Sequence, residues 1–297
     1  MAGKAASAVD TLGYTAAQLG VEELLASIPT LRGTPLVTEQ VAQVDSKDMS
    51  FELWRLLALR CAHQLAQEDV AGVVVTHGTD TLEETAYFLH SVLVPAKPVV
   101  LTCAMRPATA LAPDGPQNIV DAFAVAAAEG AHGVVAVCAG AIHGARDVAK
   151  QHTYRLDAFT SGDAGPIGYV EEGRLRLVRP WPTAGAGAQA ALRKWTDARR
   201  WPRVEIVMNY AGATAAVVEA LVAQGIDGIV AAATGNGTLH HDLEAALLAA
   251  QVRGVKVVRS TRCAQGRVLS LAGARLPDSG GLPPVKARIA LMLELLA

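Results

Sequence analysis

The sequence predicts an α/β protein: a larger N-terminal domain with a mainly parallel, doubly wound sheet, then a smaller C-terminal α/β domain. Three observations predict it. Apolar runs of strand length alternate with helical patterns along most of the chain. The length, 297 residues, exceeds what one hydrophobic core usually serves. The alternation stops once, between Pro180 and Pro202, and then resumes. Hydrophobic residues make up 51% of the chain and charged residues 18%, enough to bury two cores.

The elements follow in order. The chain opens in small, turn-like residues with no strand before them. Ser50 to Gln67 is an amphipathic helix, with Leu53, Trp54, Leu57, Cys61 and Leu65 on one face. A strand at Gly72–Val75 leads through a polar, glycine-containing turn to a helix that starts at Thr81 and carries Ala86, Phe88 and Leu89 inward. A strand at Pro98–Cys103, a helix around Asn118–Ala128 and a strand at Gly133–Val137 follow. The small residues from Trp181 to Ala188 and the closing Arg199-Arg200-Trp201-Pro202 read as a flexible linker. Beyond it come strand Val204–Asn209, helix Ala215–Ala223, strand Gly228–Ala233, helix His241–Val252, strand Val255–Arg259 and a last helix near Val285–Leu296. The expected domains are therefore 1–181, a linker at 182–202, and 203–297.

Composition excludes several functions. The net charge is −2, with no basic run and 4% aromatic residues, so nucleic acid is not an expected partner. The longest apolar region, Ala122 to Ala145, is broken by Glu129, Gly130 and His132 and reads as a helix followed by a strand rather than a membrane span. No membrane partner is expected. No G-x-G-x-x-G follows a strand, which removes the dinucleotide reading. Cys61, Cys103, Cys138 and Cys263 lie far apart in sequence, with neither zinc spacing nor a disulfide framework, and are expected as buried, reduced thiols. Residues Met1 to Ala5 lack the apolar core of a secretion signal, which points to the cytoplasm; a signal peptide upstream of Met1 would make the protein periplasmic.

Chemistry concentrates at Thr76-His77-Gly78-Thr79-Asp80-Thr81. Thr81 and Glu84 stand three apart, the capping-box spacing of a helix start. The turn sets hydroxyls and a carboxylate at the carboxyl end of a strand, where open parallel sheets bind ligands, and the free N–H groups of the helix start favour an anion. A threonine hydroxyl needs a neighbouring base, and Lys150, just beyond the strand at Gly133–Val137, is the best-placed candidate if the two strands are neighbours. The plainer alternative is that Thr79-Asp80 is turn and cap chemistry and Lys150 a solvated charge. His77 reads as a turn residue beside the site, and Asp114, Pro116 and Asn118 as a turn and helix start. Arg106 and Arg146 read as structural ion-pair partners. His240-His241 is a helix-start pair with no third ligand in view, so no metal is expected.

Thr76 to Thr81 with Glu83-Glu84-Thr85-Ala86-Tyr87 resembles the second signature of the bacterial L-asparaginases. Ala104-Met105-Arg106-Pro107, Asp114 to Asn118, Gly144 to Lys150, Gly165 to Tyr169, Asn209-Tyr210-Ala211, Gly235-Asn236-Gly237 and Arg259-Ser260-Thr261-Arg262 fit the same family in collinear order. The resemblance implies hydrolysis of L-asparagine to L-aspartate and ammonia through a threonine acyl-enzyme. Thr79, Asp80 and Lys150 would form the nucleophile-activating group, with Thr79 also against the scissile amide. Ser46 would bind the substrate α-carboxylate, Asp80 the α-ammonium, and Tyr14 would sit on a mobile lid. It implies no metal or organic cofactor and a homotetramer whose partner subunits complete each site.

The sequence departs from that family in three places. The family's first signature ends Thr-Gly-Gly-Thr-Ile-Ala-Gly and carries its primary nucleophile; Ala2-Gly3 matches only its tail, and Met1 falls on the isoleucine. These residues alone are thus expected to turn over poorly and to fold poorly, a truncated or misplaced start being the expected cause. Thr238 replaces an asparagine of many periplasmic members, and Ala264 to Pro284 holds no glutamate, so the choice between asparagine and glutamine stays open. Two further readings remain: a degenerate homologue that binds asparagine or aspartate without turnover, and the asparaginase-like subunit that edits tRNA-linked glutamate, against which the lack of a basic run weighs.

Overall fold

The computed structural model describes residues 18–93, 95–183, 188–270 and 272–296, with the backbone of 4–5 and 14–15. The chain divides into two compact units, Met1–Gln189 and Ala190–Ala297.

In the first unit β1 (Lys4–Ala5) and β2 (Tyr14–Thr15) form a two-residue antiparallel ladder, and α1 (Val21–Ala26) follows. Helix α2 (Phe51–Leu65) starts at Ser50, whose hydroxyl accepts from Leu53 N at 3.3 Å, and buries Trp54, Leu57, Ala58 and Cys61. Next come β3 (Val73–Thr76), α3 (Leu82–Val92), β4 (Val99–Thr102), α4 (Gly115–Ala126) and β5 (Val134–Cys138). These three strands pair in parallel, Val73 with Val99 and Val99 with Val134. β4 and β5 are buried at every position, which is why they read as unbroken apolar runs. β3 ends the sheet among the described residues, and its Val73–Thr76 side chains are only half-buried.

Beyond β5 the sheet turns antiparallel through β6 (Ala141–Gly144), then β9 (Gly168–Glu171) and β10 (Arg174–Leu177), with β7 (Ala149–Lys150) and β8 (Phe159–Thr160) paired separately. This mixed half was not foreseen, because its cause is local. Ala139 (φ 49°) and Gly140 (φ 74°) make a two-residue turn between Cys138 and Ala141, and Glu172 (φ 49°) and Gly173 (φ 72°) do the same between Glu171 and Arg174. Left-handed backbone at both central residues matches strand twist and forces hairpins. Ala-Gly and Glu-Gly signal such turns more faintly than Asn-Gly does. Val100, Val135, Val137 and Ile142 pack with Ala122 and Val125 of α4 into one core; each buried aliphatic side chain contributes roughly 1.5–3 kcal/mol.

The second unit holds α5 (Ala188–Asp197), β11 (Val204–Met208), α6 (Ala216–Ala223), β12 (Gly228–Ala233), α7 (His241–Val252), β13 (Lys256–Thr261) and α8 (Pro284–Leu295). Its three strands are parallel, in the order β11-β12-β13. Ile229 and Ala231 pack against Leu243 and Leu247 of α7 on one face, while Gly228 on the other leaves room for Leu291 of α8. The segment expected as a flexible linker carries α5, and Trp195 of that helix is fully buried and stacks on Trp201 at 4.4 Å.

One expectation about cysteine is corrected, and one pairing is added. The parallel register Thr102↔Val137 sets Cys103 beside Cys138, with their sulfurs 3.3 Å apart, although 35 residues separate them. Cys263, expected inside, is exposed, whereas Cys61, Cys103 and Cys138 are buried. Burial pushes the Cys61 thiol up to about 12.

Candidate active site

β3, β4 and β5 end at one edge of the sheet, and the turn after β3 brings Thr79 and Asp80 there. Lys150, in β7, reaches the same point: its Nζ donates to Thr79 Oγ1 at 2.8 Å and to Asp80 Oδ1 at 2.7 Å. Thr79 Oγ1 lies 3.5 Å from Asp80 Oδ1, so the lysine bonds are the short ones. The Lys150 side chain is 19% exposed and that of Asp80 54%, which leaves the carboxylate open to a ligand ammonium. Lys150 is anchored a second time, its backbone N–H donating to Glu83 Oε1 at 3.2 Å. No local pattern announces that contact.

Ser46 joins the group from a short 3-10 turn, Ser46–Asp48, initiated by the Asp45 side chain. Its hydroxyl oxygen accepts from Asp80 N at 3.2 Å, so the hydroxyl proton remains available to an anion. Glycine is required opposite it. A Cβ on Gly78 would lie 2.4 Å from Ser46 Oγ, inside any tolerable contact. The expected capping box forms differently: Thr81 is the N-cap residue just before α3, but its hydroxyl makes no cap and donates to Ser46 O at 2.7 Å. Tertiary structure thus takes over a local signal, and the helix start is tied to the serine turn instead. Tyr14 lies in β2, and its side chain falls outside the described residues.

Beneath the turn, His77 is buried. Its Nδ1 faces Gly78 O at 2.7 Å, its Nε2 faces Thr85 Oγ1 at 3.0 Å, and Trp54 Nε1 donates to that same hydroxyl at 2.9 Å. A carbonyl can only accept, so Nδ1 carries the proton and Nε2 accepts from the Thr85 hydroxyl. Burial holds this imidazole neutral, lowering its pKa to about 4 against the opposing pull of the Gly78 carbonyl.

Asn118 lies at the helix start, in the first turn of α4 after the Asp114 cap, and is also a buried cross-link. Its amide donates to Cys103 O at 2.8 Å and accepts from Ala139 N at 3.0 Å, fastening the ends of β4 and β5. Asp114 supports the adjacent loop by accepting from Met105 N and Arg106 N, each at 2.9 Å. The Arg106 guanidinium, expected in an ion pair, donates instead to Ala112 O at 3.1 Å. In the second unit a third group does stand beside His240 and His241: the ligand atoms of both and of Asp242 lie within 4.8 Å of one another. His240 Nδ1 is already used as the cap of α7, accepting from Asp242 N at 3.3 Å.

A lysine between a threonine hydroxyl and a carboxylate can organise proton transfer at that hydroxyl, and the Ser46 hydroxyl beside them can bind an anion. Comparison with known proteins shows the family. Residues 1–183 match the family model "Asparaginase, N-terminal", and residues 203–297 match "Glutaminase/Asparaginase C-terminal domain". The chain is 38% identical over 293 residues to L-asparaginase 2 of Escherichia coli (strain K12), covering 95% of this chain and 82% of that protein. It is 36% identical over 306 residues to the glutaminase-asparaginase of Pseudomonas fluorescens biotype A, covering 99% and 83% respectively. The crystal structure of a probable cytoplasmic L-asparaginase from Campylobacter jejuni superposes with a TM-score of 0.91 at 36% identity, covering 99% of this chain and 91% of that one. The chain belongs to the asparaginase family.

Proposed function

We propose that this protein hydrolyses the side-chain amide of L-asparagine to L-aspartate and ammonia. The observation that carries the reading is the Lys150 ammonium set between Thr79 Oγ1 and Asp80 at the carboxyl end of a parallel strand, in a chain of this family. The substrate carbon chain would lie along the turn. Its α-carboxylate would meet the Ser46 hydroxyl, its α-ammonium the exposed Asp80 carboxylate, and its amide the Thr79 hydroxyl. A threonine attacks the amide carbon to give an acyl-enzyme, and water then releases aspartate. Lys150 would relay the proton, giving one of its own to the departing ammonia as it receives the one from the attacking hydroxyl, with Asp80 orienting it. Backbone N–H groups near Thr79 would meet the developing oxyanion charge. Tyr14 would close over the bound substrate.

We assign catalysis to residues 1–181, the joining segment to 182–202 and the second domain to 203–297. We further propose a cytoplasmic homotetramer that uses no cofactor, a reading that rests on the family alone. Ammonia release from L-asparagine and from L-glutamine tests the activity; release from neither sinks it. Saturable aspartate binding without any turnover would establish the alternative, a homologue that only binds. Light scattering checks the tetramer, and cell fractionation checks the compartment.

A further inference from the structure

We infer that Trp54, Thr85 and His77 form a buried hydrogen-bond relay whose task is to fix the peptide plane between Gly78 and Thr79, making all three positioning residues of the candidate active site. The directions of its bonds follow from the donors and acceptors present. The Trp54 indole N–H can only donate, and it donates to Thr85 Oγ1 at 2.9 Å. The Thr85 hydroxyl, its oxygen so occupied, sends its own proton to His77 Nε2 at 3.0 Å. His77 Nδ1–H then donates to Gly78 O at 2.7 Å. One arrangement of protons satisfies every link, and the chain runs from α2 through α3 to the turn after β3.

The relay is rigid at its origin. Trp54 is 3% exposed and Thr85 0%, and the Trp54 ring stacks on Phe88 at 5.0 Å with only 10° between the planes. A buried imidazole lowered to about 4 stays neutral at ordinary pH, so Nε2 remains an acceptor and the direction of the relay does not reverse. The consequence reaches the reacting side chain through one peptide bond. In a trans peptide the C=O and the following N–H point in opposite directions. The Gly78 carbonyl is held toward the buried ring, so the Thr79 N–H is held away from it, and the Thr79 Cα is fixed with it. On the other side of the same turn Ser46 holds Asp80 N. The Thr79 hydroxyl therefore stands between two fixed points, and Lys150 meets it without a search over backbone conformations.

Only the affinity arm of the test rests on the asparaginase reading. Thr85→Val removes the hydroxyl at nearly constant volume, Trp54→Phe removes the indole N–H but keeps an aromatic ring against Phe88, and Thr85→Ser keeps the hydroxyl. Hydrogen exchange followed by mass spectrometry should show faster exchange confined to residues 77–81 in Thr85→Val and Trp54→Phe, with α2 and α3 unchanged. Aspartate titrated calorimetrically should bind both variants about tenfold more weakly, the loss of roughly one hydrogen bond, and Thr85→Ser should restore both readouts. Unchanged exchange at 77–81 in both variants overturns the relay, and an increase spread equally over α2 and α3 overturns it in favour of general packing. Local loosening with wild-type aspartate affinity overturns its positioning role. If the wild-type chain binds no aspartate, the asparaginase reading falls, and the exchange pattern alone decides the relay.

Discussion

Lys150 Nζ lies 2.8 Å from Thr79 Oγ1, although 71 residues of chain separate them. The contact joins a short strand beyond a hairpin to the turn of a parallel βα unit, and it places an ammonium where a hydroxyl must lose a proton. Its partner Asp80 is half exposed, so solvent screens the ion pair and its net contribution to stability is small. What the lysine does for stability and what it does for chemistry are therefore separable.

Lys150→Met should cut ammonia release from asparagine by roughly 10³-fold or more, as loss of an activating group does in other covalent hydrolases. It should change folding stability by less than about 1 kcal/mol. Steady-state turnover and urea unfolding on the same preparation check both; comparable losses of activity and folded fraction would argue against a catalytic lysine.

Gly78→Ala should destabilise the first unit by about 1–3 kcal/mol, because its methyl group would meet Ser46 Oγ at 2.4 Å. In a Ser46→Gly background the obstacle is gone, and the same substitution should cost clearly less. A double-mutant cycle in urea measures the coupling; simple additivity would mean that the two residues do not touch.

His77 gives stability a pH dependence of known sign. Its folded pKa, about 4, lies below the ordinary value of 6.5, so the unfolded chain binds the extra proton between those pH values. Stability from this group is then level above pH 6.5, falls as pH drops toward 4, and levels again below it. The full loss is about 3 kcal/mol. Melting temperature against pH should show a shallower acid slope in His77→Gln than in the wild-type chain, and parallel curves would contradict the assignment.

Asn118→Leu should cost roughly 1–3 kcal/mol, since it leaves Cys103 O unpaired in the interior and takes the partner of the more exposed Ala139 N–H. Thermal unfolding reads this directly, and a loss below about 0.5 kcal/mol would mean that water or a shifted side chain replaces both bonds.

Most of the parallel framework was legible because periodicity and burial coincide there. The strand at Gly228–Ala233 and the helix His241–Val252 have the bounds the residues suggested, and β3, β4 and β5 differ by one residue at either end. Continuous apolar runs announce strands covered on both faces, and glycine-containing polar turns announce where they stop. The antiparallel half was not legible. β6, β9 and β10 depend on positive φ at Ala139 and Glu172, a conformation that neither residue type advertises. Helix α5 was hidden for a related reason: a small-residue composition says little until a buried Trp195 gives the segment something to pack.

The α/β class, the strand-turn-helix around Thr79 and Asp80, and the family whose motifs run collinearly along the chain were all legible in the residues. These follow from local pattern, and local pattern is written in neighbouring residues. Tertiary structure alone decided which distant groups meet. It took the Thr81 hydroxyl from its own helix for Ser46, set Cys103 beside Cys138, gave Glu83 to Lys150 and threaded Trp54 and Thr85 to His77. The physical reason is that a buried donor or acceptor must find a partner, and the partner is chosen by strand register and helix packing rather than by distance along the chain.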